Sequence, residues 1–118
     1  MSSTSPALRL THTLVEALED KKGEDILVLD ISRLSPIADY FVLVSGHSDR
    51  MLDTLVEAAR EKAQAQWGVT GRIEGTARSG WVLVDFGDVI LHAFAPDVRA
   101  YYDLEGLWSE ARVVLHIQ

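Results

Sequence analysis

The chain of 118 residues contains no cysteine. That single absence removes disulfides, thiolate zinc sites, iron–sulfur clusters and cysteine nucleophiles from consideration. Long apolar runs are missing too. The longest, Ile26–Leu29 and Tyr40–Val44, are strand-sized, against the roughly 20 residues needed to cross a bilayer. Positive charge is scarce: 11 Lys and Arg face 18 Asp and Glu, a net charge of −7. The chain therefore lacks the basic footprint through which a bare nucleic-acid binder neutralises phosphates. The first residues have neither the basic start nor the apolar stretch of an export signal, so the expected compartment is the cytoplasm. No repeat, low-complexity segment or internal linker interrupts the sequence.

What remains is 47% hydrophobic and 25% charged, the profile of a globular protein. The length suits one domain and not two. We expect a disordered tail over residues 1–6 and a single domain over 7–118. Ser5 and Pro6 suit the cap and first position of a helix. Ala7, Thr11, Leu14, Val15 and Leu18 recur at helical spacing, and Gly23 marks the stop after Lys22. Ile26–Ile31 and Asp39–Val44 read as buried strands. Ser48 suits the cap of a second amphipathic helix to Trp67, with Met51, Leu52, Leu55, Val56, Ala59 and Ala63 on its apolar face. Three short strands follow, at Arg72–Glu74, Trp81–Asp85 and Val89–Phe94, the last two joined by a hairpin turn at Phe86-Gly87-Asp88. The pattern predicts one last helix from Asp97 to about Trp108, then an extended tail over Val113–Ile117. The order implies an α/β (α+β) domain with one mixed sheet and helices packed on it.

Few residues suggest chemistry. Asp88 and His92, four apart, could share a strand face and serve a metal or a proton transfer, or His92 could be a hydrogen-bonded histidine at a sheet surface. No second ligand lies at metal-binding spacing. Asp85-Phe86-Gly87 spells the kinase magnesium motif without the rest of a kinase; a turn explains it better. Ser45-Gly46-His47-Ser48, between strand and helix, sits where nucleotidyltransferases bind phosphate, but no pair of carboxylates follows to hold magnesium. Ser45, His92 and Asp88 lack any nucleophile-elbow motif. The last helix is odd in another way. Tyr101, Tyr102, Leu104, Leu107 and Trp108 are too many large apolar groups for one stripe. They fit a helix packed on two sides, or an exposed patch for a partner that Trp81 could join.

Several stretches, in order, resemble the ribosome-silencing factors of the RsfS/YbeB/iojap family. They are Asp20–Ile26, Leu29–Ser32, Ile37–Phe41, Ser45–Arg50, Glu74-Gly75 with Trp81–His92, and Tyr101–Trp108, together covering about residues 10–110. The resemblance implies a five-stranded mixed sheet with about three helices, similar to nucleotidyltransferases but without their catalytic residues. It implies no enzyme activity, no cofactor and no metal. Its implied function is ribosomal silencing: binding a basic large-subunit ribosomal protein at the intersubunit face and sterically blocking subunit association when nutrients are short. Association with large-subunit assembly and a homodimer are implied as well. Transferred to this chain, the ribosomal-protein-binding residues would be Trp81, Asp85, Asp88, His92, Tyr101, Glu105 and Trp108.

Overall fold

In a computed structural model that describes residues 5–118, helix α1 spans Pro6–Asp20, strand β1 Glu24–Asp30, β2 Tyr40–Ser45, helix α2 Asp49–Trp67, β3 Arg72–Thr76, β4 Trp81–Asp85, β5 Val89–Phe94, the short helices α3 and α4 Pro96–Tyr102 and Leu104–Leu107, and β6 Arg112–Ile117. The strands form one sheet in the order β3-β4-β5-β2-β1-β6. β2 and β5 run parallel, and every other neighbouring pair is antiparallel. The α2-β3-β4 segment supplies the crossover that a parallel pair requires.

The sheet therefore has six strands, where the family resemblance led us to expect five. The extended tail folds back on β1, with Leu27 opposite His116 and Leu29 opposite Val113. Its gain is elementary: β1 would otherwise leave its backbone groups unpaired along an apolar edge.

The two faces are covered differently, and this decides where a site can be. On one face α1 and α2 pack over Val28, Val42, Val44, Val84 and Leu91. Here the predicted helical stripes are buried, including Leu14 and Leu18 of α1 and Leu52, Leu55, Val56, Ala59 and Ala63 of α2, with Met51 only partly buried beside them. Thr13 links the two helices, accepting from Trp67 Nε1 at 2.8 Å and donating to Gln66 at 2.9 Å. The opposite face is covered by Ile31, Ala38, Leu104 and Trp108, which pack on Leu27, Leu29, Phe41, Leu43 and Phe94. That cover lies over the middle of the sheet. β1 and β2, enclosed on both sides, are apolar through their centres, Ile26–Leu29 and Tyr40–Val44, as doubly covered strands are. β4 alternates instead: Val82 and Val84 are buried while Trp81, Leu83 and Asp85 stay partly open. Alternation is the mark of a strand with one covered face.

Both principal helix caps are as read from the sequence. Ser5 and Ser48 accept from the backbone N–H groups of Leu8 and Met51. The N-terminal helix starts at Pro6, so Ser5 and Pro6 belong to the folded domain; the remainder of the expected tail, residues 1–4, lies outside the described residues. α1 stops at Asp20 and not at Lys22, because Gly23 N–H reaches back to the Leu18 carbonyl.

The predicted last helix is broken in two. Asp103 adopts φ +48°, closing α3 and capping α4 through a bond from Gly106 N–H to its carboxylate at 3.1 Å. Gly106 is the residue this cap needs, since a Cβ there would collide with the Asp103 carboxylate. The break splays Tyr101 and Leu107 onto open surface, 81% and 78% exposed, while Leu104 stays buried.

Candidate docking face

The open flank of the sheet begins at β3 and β4 and ends under α3 and α4. Across it runs a chain of aromatic contacts. Trp81 lies 4.9 Å from Phe94 and 4.9 Å from Tyr102 between ring centres, and Tyr102 stands 5.0 Å edge-on from Tyr101. His92 is 5.9 Å from Trp81 and 4.7 Å edge-on from Phe41, which is 5.1 Å from Trp108. Edge-to-face and tilted pairs at such spacings are the favourable arrangements of aromatic quadrupoles. Register explains the assembly: Trp81 is paired with Phe94, and Leu83 with His92, across β4 and β5. Period-two alternation then puts all four side chains on the same face.

Trp81 donates its indole N–H to His92 Nδ1 at 3.2 Å. His92 is only 4% exposed, and its other nitrogen, Nε2, is buried with no hydrogen-bond partner among the described residues. Burial holds the imidazole down from 6.5 to about 4, so it stays neutral and able to accept. A shallow hollow of about 270 Å³ opens beside Trp81, bounded by Glu74, Gly75, Ser79, Leu83 and Tyr102. Its wall needs Gly75: the residue has φ +85°, and a Cβ would lie 2.5 Å from the Trp81 carbonyl oxygen, a backbone contact that cannot yield. Charge sits at the margin, where Arg72 bonds Asp85 at 3.2 Å and approaches Glu74 at 3.5 Å.

The residues singled out from sequence do not all gather here. Trp81, His92, Tyr102, Tyr101 and Trp108 do. Asp85 shares the open face of β4 with Trp81, four residues along an alternating strand. Its carboxylate also serves the hairpin, accepting from Gly87 N–H at 2.8 Å; with Phe86 N–H bonded to the Val89 carbonyl, the kinase-like triplet is a turn. Asp88 is displaced from the group. It lines a different hollow, on the helical side, with Pro6, Ala7, Leu10, Trp67, Val69 and Phe86. Asp88 and His92 thus do not share a face: the turn at Gly87 swings one to the helices while register turns the other toward Phe41. Nor does Ser45 meet His92; its hydroxyl accepts from Arg99.

Glu105 is one-third exposed and bonds Arg99 Nε at 2.9 Å. Arg99 itself went unnoticed in the sequence. It is 5% exposed, and its Nη1 donates to the Asp25 carbonyl at 2.7 Å and to the Ser45 hydroxyl at 2.9 Å. One guanidinium therefore ties α3 and α4 to β1 and β2, using the donor fork that suits arginine to buried ion pairs. The Arg99–Glu105 spacing of six fits no continuous helical face, so only the break at Asp103 brings them together. Leu83 was missed as well; the clue was its place two residues from Trp81 on an alternating strand.

Among the described residues, no group of three or more His, Asp or Glu is placed to hold a metal, and no helix is long and apolar enough to cross a membrane.

Comparison with known proteins agrees on one family. Residues 3–118 match the family model described as "Ribosomal silencing factor during starvation". The ribosomal silencing factor of Halalkalibacterium halodurans is 39% identical over 105 residues, covering 89% of this chain and 90% of that protein. A crystal structure of a protein from Chromobacterium violaceum superposes with a TM-score of 0.84 at 38% identity, covering 89% of this chain and 88% of that one. A more distant relative, mouse "mitochondrial assembly of ribosomal large subunit protein 1", is 32% identical over 99 residues, 81% of this chain and 43% of its own length. The chain belongs to the ribosomal silencing factor family.

Proposed function

We propose that the face built from Trp81, Leu83, Tyr101, Tyr102 and Leu107 docks on a basic protein at the intersubunit side of the large ribosomal subunit. Seated there, the domain sterically blocks the small subunit and so represses translation in the cytoplasm. It works as an obstacle and not as a catalyst. The observation that carries this reading is the concentration of exposed large apolar side chains at the broken last helix. Tyr101 and Leu107 are almost fully open, with Tyr102 half open beside them. Exposed patches of this kind, rimmed by charge, mark association surfaces, and aromatic residues supply their anchors. The net charge of −7 favours encounter with a basic partner. In this reading Asp85 contributes charge at the margin, and Trp108 and Glu105 hold the face from its edge. His92 is buried and reaches a partner only through Trp81. Asp88, on the helical side, belongs to a separate surface.

A second reading, assistance in large-subunit assembly, is favoured by the mouse relative's name. It would use the same face on an immature particle.

The test is sedimentation of the protein with separated bacterial ribosomal subunits. Wild type travels with the large subunit and lowers the yield of joined ribosomes, and Tyr101→Glu does neither while staying folded. Tyr101 is the better probe because a Glu105 variant would also break the Arg99 tie. A wild-type protein that stays at the top of the gradient with mature subunits, but binds assembly intermediates, would favour the second reading. Binding to neither would refute both.

A further inference from the structure

Tryptophan has one polar hydrogen, and in this protein that hydrogen is spent inside the molecule. Trp81 Nε1 donates to His92 Nδ1 at 3.2 Å, while Phe94 and Tyr102 contact the same ring system at 4.9 Å each. Three groups from β5 and α3 therefore fix the indole, whereas a tryptophan on an open strand face would otherwise sample several rotamers. The acceptor is itself immobile. His92 is 4% exposed, held edge-on by Phe41 at 4.7 Å and parallel to Phe94 at 6.1 Å.

An imidazole that accepts at Nδ1 while neutral must carry its proton on Nε2. In His92 that nitrogen is buried and unpartnered among the described residues. Leaving a buried donor unpaired costs free energy that an apolar residue of similar shape would avoid. As a simple core residue, then, His92 is a poor choice; as an acceptor placed under Trp81 it has a use that phenylalanine could not meet.

We infer that His92 is a positioning residue for docking, which holds the Trp81 ring in one orientation and takes up its only hydrogen-bond donor, so that Trp81 offers its partner an apolar surface alone. This rests on the docking reading above. It narrows the partner chemistry: the group that meets Trp81 is an apolar side chain or the aliphatic stem or cationic head of Lys or Arg, and not a carbonyl or carboxylate seeking the indole N–H.

The experiment has an arm that needs no ribosome. In wild-type protein, nitrogen NMR shifts should show His92 unprotonated at Nδ1 and protonated at Nε2. The Trp81 indole N–H should exchange slowly for a partly exposed ring. A protonated Nδ1, or a freely exchanging Trp81 indole, overturns the inference whatever binds. The second arm measures binding to purified bacterial large subunits. His92→Phe keeps a ring and removes the acceptor; His92→Asn keeps an acceptor near the Nδ1 position. We expect folded His92→Phe to bind roughly fivefold to tenfold more weakly, the equivalent of one lost hydrogen bond, and His92→Asn to recover most of that loss. In a Trp81→Phe background, which has no indole N–H, His92→Phe should cost nothing further. Unchanged binding by folded His92→Phe, or an undiminished loss in the Trp81→Phe background, refutes the positioning role. Should wild type itself fail to bind large subunits, the docking reading falls and takes the partner chemistry with it, while the NMR arm still decides whether His92 holds Trp81.

Discussion

Acid should weaken this fold through one buried histidine. Above its ordinary pKa His92 is neutral in both folded and unfolded chains and contributes no pH dependence. Below 6.5 the unfolded chain takes up a proton that the native protein refuses until about pH 4, because burial in the Phe41–Trp81–Phe94 cluster disfavours the charged ring. Stability attributable to this group is therefore intact above the unfolded pKa and is lost as pH falls toward the folded one. The whole interval is worth roughly 3 kcal/mol, at about 1.4 kcal/mol per pH unit. Urea unfolding of wild type and His92→Phe between about pH 7.5 and about pH 4.5 isolates it, since subtraction cancels the carboxylates and the three histidines the two proteins share. Wild type should lose roughly 2.5 kcal/mol more than the variant over that range. A difference that stays flat with pH would refute the reasoning, and would mean that protonated His92 is accommodated in the folded state. The absolute offset at neutral pH is a separate matter and should be small, because His92→Phe gives up one hydrogen bond and also removes one unpartnered buried donor.

Other expectations follow from single contacts. Arg99→Met should lower stability by about 2–4 kcal/mol by urea unfolding, because it strands the Asp25 carbonyl, Ser45 and Glu105 that one guanidinium satisfies. Asp103→Ala should cost about 2 kcal/mol, combining a lost cap with a left-handed backbone that alanine dislikes. Asp103→Gly should cost clearly less, since it keeps the backbone freedom; equal losses would show that the cap alone matters. Gly75→Ala should destabilise by about 1–3 kcal/mol through its clash with the Trp81 carbonyl, and hydrogen exchange should show the loss concentrated in β3 and β4.

Much of the architecture was legible because it rests on local chemistry. Ser5 and Ser48 announce helix starts by their own hydrogen bonds, and the stripes of α1 and α2 follow from helical periodicity. The alternation of β-branched Val82 and Val84 with Trp81, Leu83 and Asp85 is equally local, and it sets which side of β4 is open. What the sequence could not display are the features created by distant pairing. The C-terminal strand was read only as an extended tail, because nothing local says that residues 112–117 will meet 24–30. The bend at Asp103 was hidden because aspartate rarely takes a positive φ, and the helical pattern runs on past it. Arg99 looked like one more surface cation until that bend placed Glu105 beside it. Asp88 and His92 part company because β5 begins only at Val89, so the period-two count back from His92 does not reach into the turn that holds Asp88. The aromatics of the candidate face were all visible as residues; the hydrogen bond joining Trp81 to His92 requires the β4–β5 register to be known.

The placement of β6 also bears on how the molecule folds. Its residues complete the sheet against β1 across a long stretch of chain: Arg112 meets Asp30, 82 positions earlier, and His116 meets Asp25, 91 positions earlier. α3 and α4, which carry Tyr101, Tyr102 and Leu107, lie just ahead of it. Contacts so distant in sequence must close a long loop before they stabilise anything, whereas α1, β1 and β2 are neighbours along the chain. The strand that seals the β1 edge therefore joins late, and the segment bearing the exposed aromatics is anchored at both ends only when it does.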